Sequence, residues 1–281
     1  MGKPNALVLT GYGLNCDEET HYALSLAGAD AKKVHINELI KGKELGSEES
    51  LDNYHIMVFI GGFCWADDHG AGVLWSARFR YNIWDQLEAF INRGGLIIGI
   101  CNGFQALANL GLLPGFDRNY SARRIALLNN DSGNFRDDWT TCKANPKSPC
   151  IFTKGIHLID MPIRHGEGKL FTDPKTLARL KKEGLIALQY SRKDGGEAQG
   201  EYPFNPNGSM EDIAGICDPS GRIFGLMPHP EAFNHPANHP DWTYQKEEAK
   251  RRGHVLEERE GLGIRIFRNA VDFARENLVI G

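Results

Sequence analysis

One short segment carries the most chemistry in this 281-residue chain: Gly99-Ile100-Cys101-Asn102-Gly103-Phe104-Gln105. The apolar run 96–100 leads into the cysteine, and a helical pattern over 102–110 leaves it. Glycines stand two residues to either side. This is the form of a nucleophile elbow with Cys in the place of Ser. The sharp turn needs small neighbours so that backbones can pass closely, and it leaves the sulfur exposed above a sheet edge. The helix N-terminus beneath favours the thiolate, which matters because a free thiol of pKa about 8.5 is only a few per cent ionised at pH 7. The competing reading of the same residues is a buried core cysteine, the commoner fate of a single Cys.

A thiol nucleophile needs a base. Among ten histidines, His229 stands in Met227-Pro228-His229-Pro230-Glu231. Pro230 biases His229 towards an extended conformation, in which positions i and i+2 share a side. His229 and Glu231 then project together, and the carboxylate can orient and charge-stabilise the imidazole. An oxyanion formed at the reacting carbon needs N–H donors. Gly61-Gly62-Phe63 ends another apolar run, 56–60, and belongs at the same sheet edge as Cys101. Backbone N–H groups of Gly62 or Phe63, together with that of Asn102, are the candidate donors, each worth about 2.7–4 kcal/mol of barrier.

The elements that must position these groups alternate in type. Short apolar strands are expected at 6–10, 31–36, 56–60 and 96–100. Between them lie helical patterns at about 16–27, capped by Asn15 with Glu18 as its capping-box partner, and at 75–93. The stretch 41–50 reads as a loop. Buried strands alternating with helices predict βαβ units around a parallel sheet. The second half reads differently, with strands at 156–162, 185–190, 213–218 and 222–227, a helix at 174–183 and a final amphipathic helix at 264–278. The fold class is therefore α/β: a flavodoxin-like open, mainly parallel sheet flanked by helices, with a β-rich elaboration in the second half. A single domain over 1–281 is expected. The polar stretch 129–149 reads as a surface insertion, and 235–281 as a C-terminal extension ending in a helix.

Composition removes other classes. The chain carries 32 Lys+Arg against 36 Asp+Glu, with 41% apolar and 24% charged residues. This slight acidity argues against nucleic-acid binding. No apolar run approaches the roughly 20 residues of a membrane helix, and the N-terminus shows no signal-peptide h-region. Six cysteines without a CxxC pair are expected to be reduced thiols in a cytoplasmic protein. No metal site is expected. Asp67-Asp68-His69 reads as a polar loop, and Pro236 and Pro240 break the helix that His235 and His239 would need to act as a zinc pair. Gly11-Tyr12-Gly13 lacks the third glycine of a dinucleotide fingerprint, with Cys16 in its place.

The elbow, the upstream Gly-Gly and the downstream His-x-Glu, in that order, resemble the class I (triad-type) glutamine amidotransferases. Asn15-Cys16-Asp17-Glu18-Glu19-Thr20, Arg164-His165-Gly166-Glu167-Gly168 and Asn205-Pro206-Asn207-Gly208-Ser209 are similar to segments of the glutaminase components of phosphoribosylformylglycinamidine synthases. The resemblance runs over about residues 7–231. One departure is Cys64-Trp65-Ala66-Asp67, where those relatives carry Ser-Tyr-Gly-Asp. The resemblance implies glutamine as substrate, Cys101 as nucleophile and His229 with Glu231 as base and orienter. It implies that Gln105, His165, Gly166 and Glu167 lie by the glutamine pocket. It also implies no cofactor on this chain, and an ATP-dependent synthetase subunit as partner, with ATP and magnesium on that partner and a small accessory subunit compatible. Two alternatives stay open on sequence alone. One is a cysteine hydrolase serving another synthetase or another γ-glutamyl amide; the other is a non-catalytic binding subunit.

Overall fold

A computed structural model describes residues 2–254 and 260–279. The first half builds the expected alternation. It runs β1 (Asn5–Thr10), α1 (Asp17–Leu26), β2 (Asp30–His35), α2 (Ile36–Lys41), β3 (Ile56–Phe59), α3 (Val73–Asn82), α4 (Trp84–Asn92), β4 (Leu96–Ile100) and α5 (Asn102–Leu110). The second half adds β5 (Ile125–Asn129), β6 (Arg136–Ala144), β7 (Leu158–His165), β8 (Glu167–Thr172), α6 (Pro174–Lys182), β9 (Ile186–Ser191), β10 (Ile213–Cys217), β11 (Ile223–Leu226), α7 (Trp242–Arg251) and α8 (Ile264–Asn277).

Nine strands form one sheet in the order β2-β1-β3-β4-β11-β10-β9-β6-β7, and β5 pairs with β8 in a second, two-stranded sheet. The pairs from β2 to β11 are parallel, and those from β11 onward are antiparallel. The 2-1-3-4 order of the parallel half is the flavodoxin-like arrangement, in which active groups gather beyond the C-terminal strand ends. β3, β4 and β11 are buried along their whole length, as parallel strands covered on both faces must be. Their register sets Val58 beside Ile98 and Gly99 beside Gly225. The residues that follow these strands, Gly61-Gly62, Cys101 and His229, therefore emerge together.

Several expectations are corrected. The stretch 129–149 is not a surface loop: β6 lies inside it and joins the sheet between β7 and β9. Its buried face is made of Thr and Cys as well as Ala, so neither its composition nor its periodicity marks a strand. Pairing with β6 also moves β7 to Leu158–His165 from the expected 156–162 and carries His165 to its end, opposite Arg136. The helix expected at 75–93 is two, because Ile83 leaves helical geometry at φ −137° and turns its side chain into the core. Asn15 does not cap α1. The cap residue is Cys16, which makes no side-chain cap, and Glu18 pairs with Lys33 instead. The 41–50 stretch opens on the end of α2 and a 3-10 turn at Gly42–Leu45. Within the expected C-terminal extension 235–281, α7 follows at Trp242–Arg251, and residues 255–259 lie outside the described set.

The C-terminal helix is part of the core. α8 packs on α1 and near β3, and it buries Ile264, Ile266, Phe267, Ala270, Val271 and Ala274. Phe267 is 1% exposed. Phe267→Ala is expected to cost about 3–5 kcal/mol in urea unfolding, the range for truncating a buried aromatic. A loss below 1 kcal/mol would mean that the helix is an appendage.

Candidate active site

The elbow is built as its glycines require. Cys101 adopts φ 51° and ψ −108°, a backbone conformation L-residues rarely hold outside strained functional turns. α5 then passes directly over the end of β3. A Cβ on Gly103 would lie 1.9 Å from the Phe59 carbonyl oxygen, and one on Gly99 would meet the Gly103 backbone at 2.8 Å. Only hydrogen fits at either place. Cys101 is the residue before the first turn of α5, so its sulfur sits at the positive end of that helix. Its thiol points to the carbonyl of Arg164 at 3.6 Å, where β7 ends.

His229 and Glu231 meet as expected, though by a different backbone route. His229 has φ −106° and ψ 88°, and Pro230–Ala232 forms a 3-10 turn rather than an extended segment. The His229 N–H donates to the Pro162 carbonyl at 2.8 Å, which fixes this turn against β7. His229 Nδ1 lies 2.5 Å from Glu231 Oε1, both side chains being almost fully buried. Burial disfavours the imidazolium. Glu231 opposes that, and the Cys101 and Cys16 thiols add to it, so the His229 pKa stands well above the ordinary histidine range. His229 Nε2 is buried without a hydrogen-bond partner, which leaves it as the ring nitrogen open to the Cys101 side. Such contacts tighten when substrate binds.

The candidate oxyanion donors are fewer than expected. The Phe63 N–H is already committed to the Gly13 carbonyl at 2.9 Å, so Phe63 is not a free donor in this conformation. Gly62 and Asn102 remain. Gly62 turns the chain at φ 140°, where a Cβ would fall 2.8 Å from the Leu14 and Asn15 backbone, so this corner is closed to any other residue.

The other predicted residues gather on one wall. Gln105 Nε2 donates to the Glu167 carbonyl at 2.5 Å, and its Oε1 accepts from Asn102 Nδ2 at 3.2 Å. The Glu167 carboxylate accepts from the Ala71 N–H at 3.3 Å, and the Gly166 carbonyl accepts from the Asn130 N–H at 2.8 Å. His165 is buried and faces His229. Burial, with that second imidazole beside it, lowers its pKa to about 3, so it is neutral. Three further groups escaped the sequence reading. Asn130, in the dismissed 129–149 stretch, holds the His165 turn: its Nδ2 donates to the His165 carbonyl (2.8 Å), while its Oδ1 accepts from the Gly168 N–H (3.2 Å) and contacts His165 Nδ1 (3.1 Å). Cys16 Sγ stands 4.0 Å from His229 Nδ1. Asp67 accepts from Asn102. Asn130 and Asp67 carry no local signature, since a polar loop residue and one acid among neighbours look ordinary in sequence, and the segment 15–20 that contains Cys16 gives no sign that its thiol lies beside His229. The Asn205–Ser209 motif has a supporting role: Asn207 Nδ2 donates to the Gly168 carbonyl, and Ser209 Oγ accepts from the Leu170 N–H.

The residues discounted as ligands have other partners. His235 accepts from the Ala237 N–H, and His239 contacts Asp160 at 3.4 Å and stacks edge-on with Trp139. Among the described residues, no helix is long and apolar enough to cross a membrane.

This arrangement can form and cleave a thioester: a thiol at a helix N-terminus, an imidazole held by a buried carboxylate, and two N–H donors beside them. The model of the CobB/CobQ-like glutamine amidotransferase domain family matches residues 3–274. A protein named phosphoribosylformylglycinamidine synthase subunit PurQ from Methanococcus maripaludis is 45% identical over 270 residues, covering 96% of this chain and 97% of its own. One of the same name from Dehalococcoides mccartyi is 44% identical over 276 residues, covering 98% and 100%. Among solved structures, one chain of PurLQS from Thermotoga maritima superposes with a TM-score of 0.68 at 27% identity, covering 97% of this chain and 99% of that one.

The buried His229–Glu231 pair makes a sharp expectation. Glu231 holds the His229 pKa above the ordinary histidine range against burial, and NMR of the imidazole nitrogens reads that titration. In Glu231→Gln, burial loses its main opponent, and the titration moves down. An unchanged titration would show that Glu231 does not sustain the imidazolium.

Proposed function

The chain belongs to the CobB/CobQ-like glutamine amidotransferase domain family, and we propose that Cys101, His229 and Glu231 carry its glutaminase chemistry. Like the relatives named as subunits of phosphoribosylformylglycinamidine synthase, it releases ammonia from the glutamine side-chain amide for formylglycinamidine ribonucleotide formation in purine biosynthesis. The observation that carries the residue assignment is the strained Cys101 at the N-terminus of α5, at the strand edge that also presents the buried His229–Glu231 pair.

Cys101 Sγ, as the thiolate, attacks the amide carbon of glutamine. The oxyanion forms against the N–H groups of Gly62 and Asn102. His229, protonated and oriented by Glu231, gives its Nε2 proton to the leaving nitrogen, and ammonia departs as the thioester forms. Water then attacks the thioester carbon, with His229 taking its proton. The S–C bond breaks, glutamate leaves, and the site returns to its starting state. Neutral His165, Gly166, Gln105 and Glu167 form the wall against which the amino-acid portion of glutamine rests. The chemistry needs no cofactor on this chain.

The partner in this reading is an ATP-dependent synthetase subunit that consumes the ammonia, with ATP and magnesium bound there and a small accessory subunit as a further component. The setting is cytoplasmic, where the thiols stay reduced. The deciding experiment assays ammonia release from glutamine with the synthetase present. Cys101→Ala and Cys101→Ser are each expected to lower the rate at least about 10³-fold, as removal of a nucleophile does in other triad enzymes. Release at the parental rate would refute the assignment.

A further inference from the structure

Asp67 has no role in the chemistry above, yet it lies one hydrogen bond from the residue that follows the nucleophile. After the Gly61-Gly62-Phe63 corner the chain turns through Trp65, Ala66 and Asp67 at φ 52°, 55° and 56°. This left-handed turn delivers the Asp67 carboxylate to the wall beside Cys101. Its Oδ1 accepts from Asn102 Nδ2 at 2.9 Å. The same Nδ2 donates to Gln105 Oε1, and Gln105 in turn donates to the Glu167 backbone. Asp67, Asn102, Gln105 and Glu167 thus form one continuous surface.

That surface has a surplus of acceptors. Asn102 is 1% exposed, and its amide oxygen Oδ1 is buried without any donor. Such a group is costly to leave unsatisfied. Asp67 and Glu167 form no ion pair with any described residue. Their carboxylates are close enough that, after burial, Glu167 adds to the upward push on Asp67, whose pKa rises to about 6 against the opposing hydrogen bond from Asn102. Two carboxylates and an orphan amide oxygen with no counter-charge call for a cation bearing several N–H donors. A primary ammonium meets that requirement. In L-glutamine the α-ammonium lies three carbons from the amide carbon that Cys101 attacks.

We propose that Asp67, with Glu167 and Asn102 Oδ1, binds the α-ammonium group of the substrate and so restricts this site to α-amino acids. The inference rests on the glutaminase reading and adds Asp67 as its specificity residue. Asn is the informative replacement. It keeps the acceptor for Asn102 and tolerates a left-handed backbone, while removing the charge.

The test compares L-glutamine with 4-carbamoylbutanoate, which has the same amide without the α-ammonium, as substrates of the assembled enzyme. Asp67→Asn is expected to lower kcat/KM for glutamine about 10- to 100-fold, mostly through KM, as for loss of a charge-assisted hydrogen bond. For 4-carbamoylbutanoate, kcat/KM stays within about twofold. Asp67→Glu restores part of the preference. Equal losses on both amides, or no loss on either, overturn the proposal. If Asp67→Asn does not assemble, Glu167→Gln provides the second reading: the same substrate-selective loss supports the proposal, and an equal loss on both amides overturns it. A parental enzyme that releases no ammonia from glutamine instead overturns the glutaminase reading and this proposal with it.

Discussion

The passage of α5 over the end of β3, with Gly103 seated against the Phe59 carbonyl, is the contact on which the site depends. Parallel strands β3 and β4 are locked in register by the sheet, so the helix leaving β4 has nowhere to go except across its neighbour. That path forces Cys101 into a positive-φ turn. The same turn raises the sulfur above the sheet and points the helix N-terminus at it. The placement of Cys101 and of the Asn102 N–H at the start of α5 follows from a single steric fact, namely that positions 99 and 103 carry no Cβ. The strain at Cys101 is tolerated because the surrounding core, among the most buried parts of the chain, leaves no relaxed alternative.

Electrostatics complete what sterics begin. A lone buried histidine would be neutral, and His165 is such a case, lowered to about 3 by burial beside a second imidazole. His229 experiences comparable burial and ends with the opposite result because Glu231 lies 2.5 Å away. Two histidines on one wall are thus shifted in opposite directions, one down by burial and one up by its carboxylate. Asp67 shows the same physics with the sign reversed: desolvation and a second carboxylate, without a cation, raise an acid.

The candidate constellation was legible because each of its parts is local. The glycines at ±2 of Cys101, the two-residue spacing of His229 and Glu231, and the Gly-Gly ending an apolar run are short-range patterns with direct steric meaning. The parallel half of the fold was legible for a similar reason, since strands buried on both faces leave continuous apolar runs. The antiparallel half was legible only in part: β9 and β10 stand close to the strands expected there, and β6 was not expected. β6 pairs with β7 and β9 through residues such as Thr140, Thr141 and Cys142, whose side chains reveal nothing until the neighbouring strands are in place. Missing β6 also displaced the expected β7 and hid Asn130, which holds the His165 turn from inside that stretch.

By itself the sequence marked the candidate site residues Cys101, His229 and Glu231, and the α/β sheet that carries them. These depend on contacts between residues a few positions apart, or on the burial of single strands. Tertiary structure alone decided the surroundings. It turned the C-terminal helix from an extension into core, committed the Phe63 N–H to Gly13, and brought Cys16 to His229 across more than two hundred residues of chain. It also set Asp67 beside Asn102 and Glu167. Each of these outcomes is a pairing between distant segments. Strand order and loop closure set such pairings, and no local spacing encodes them.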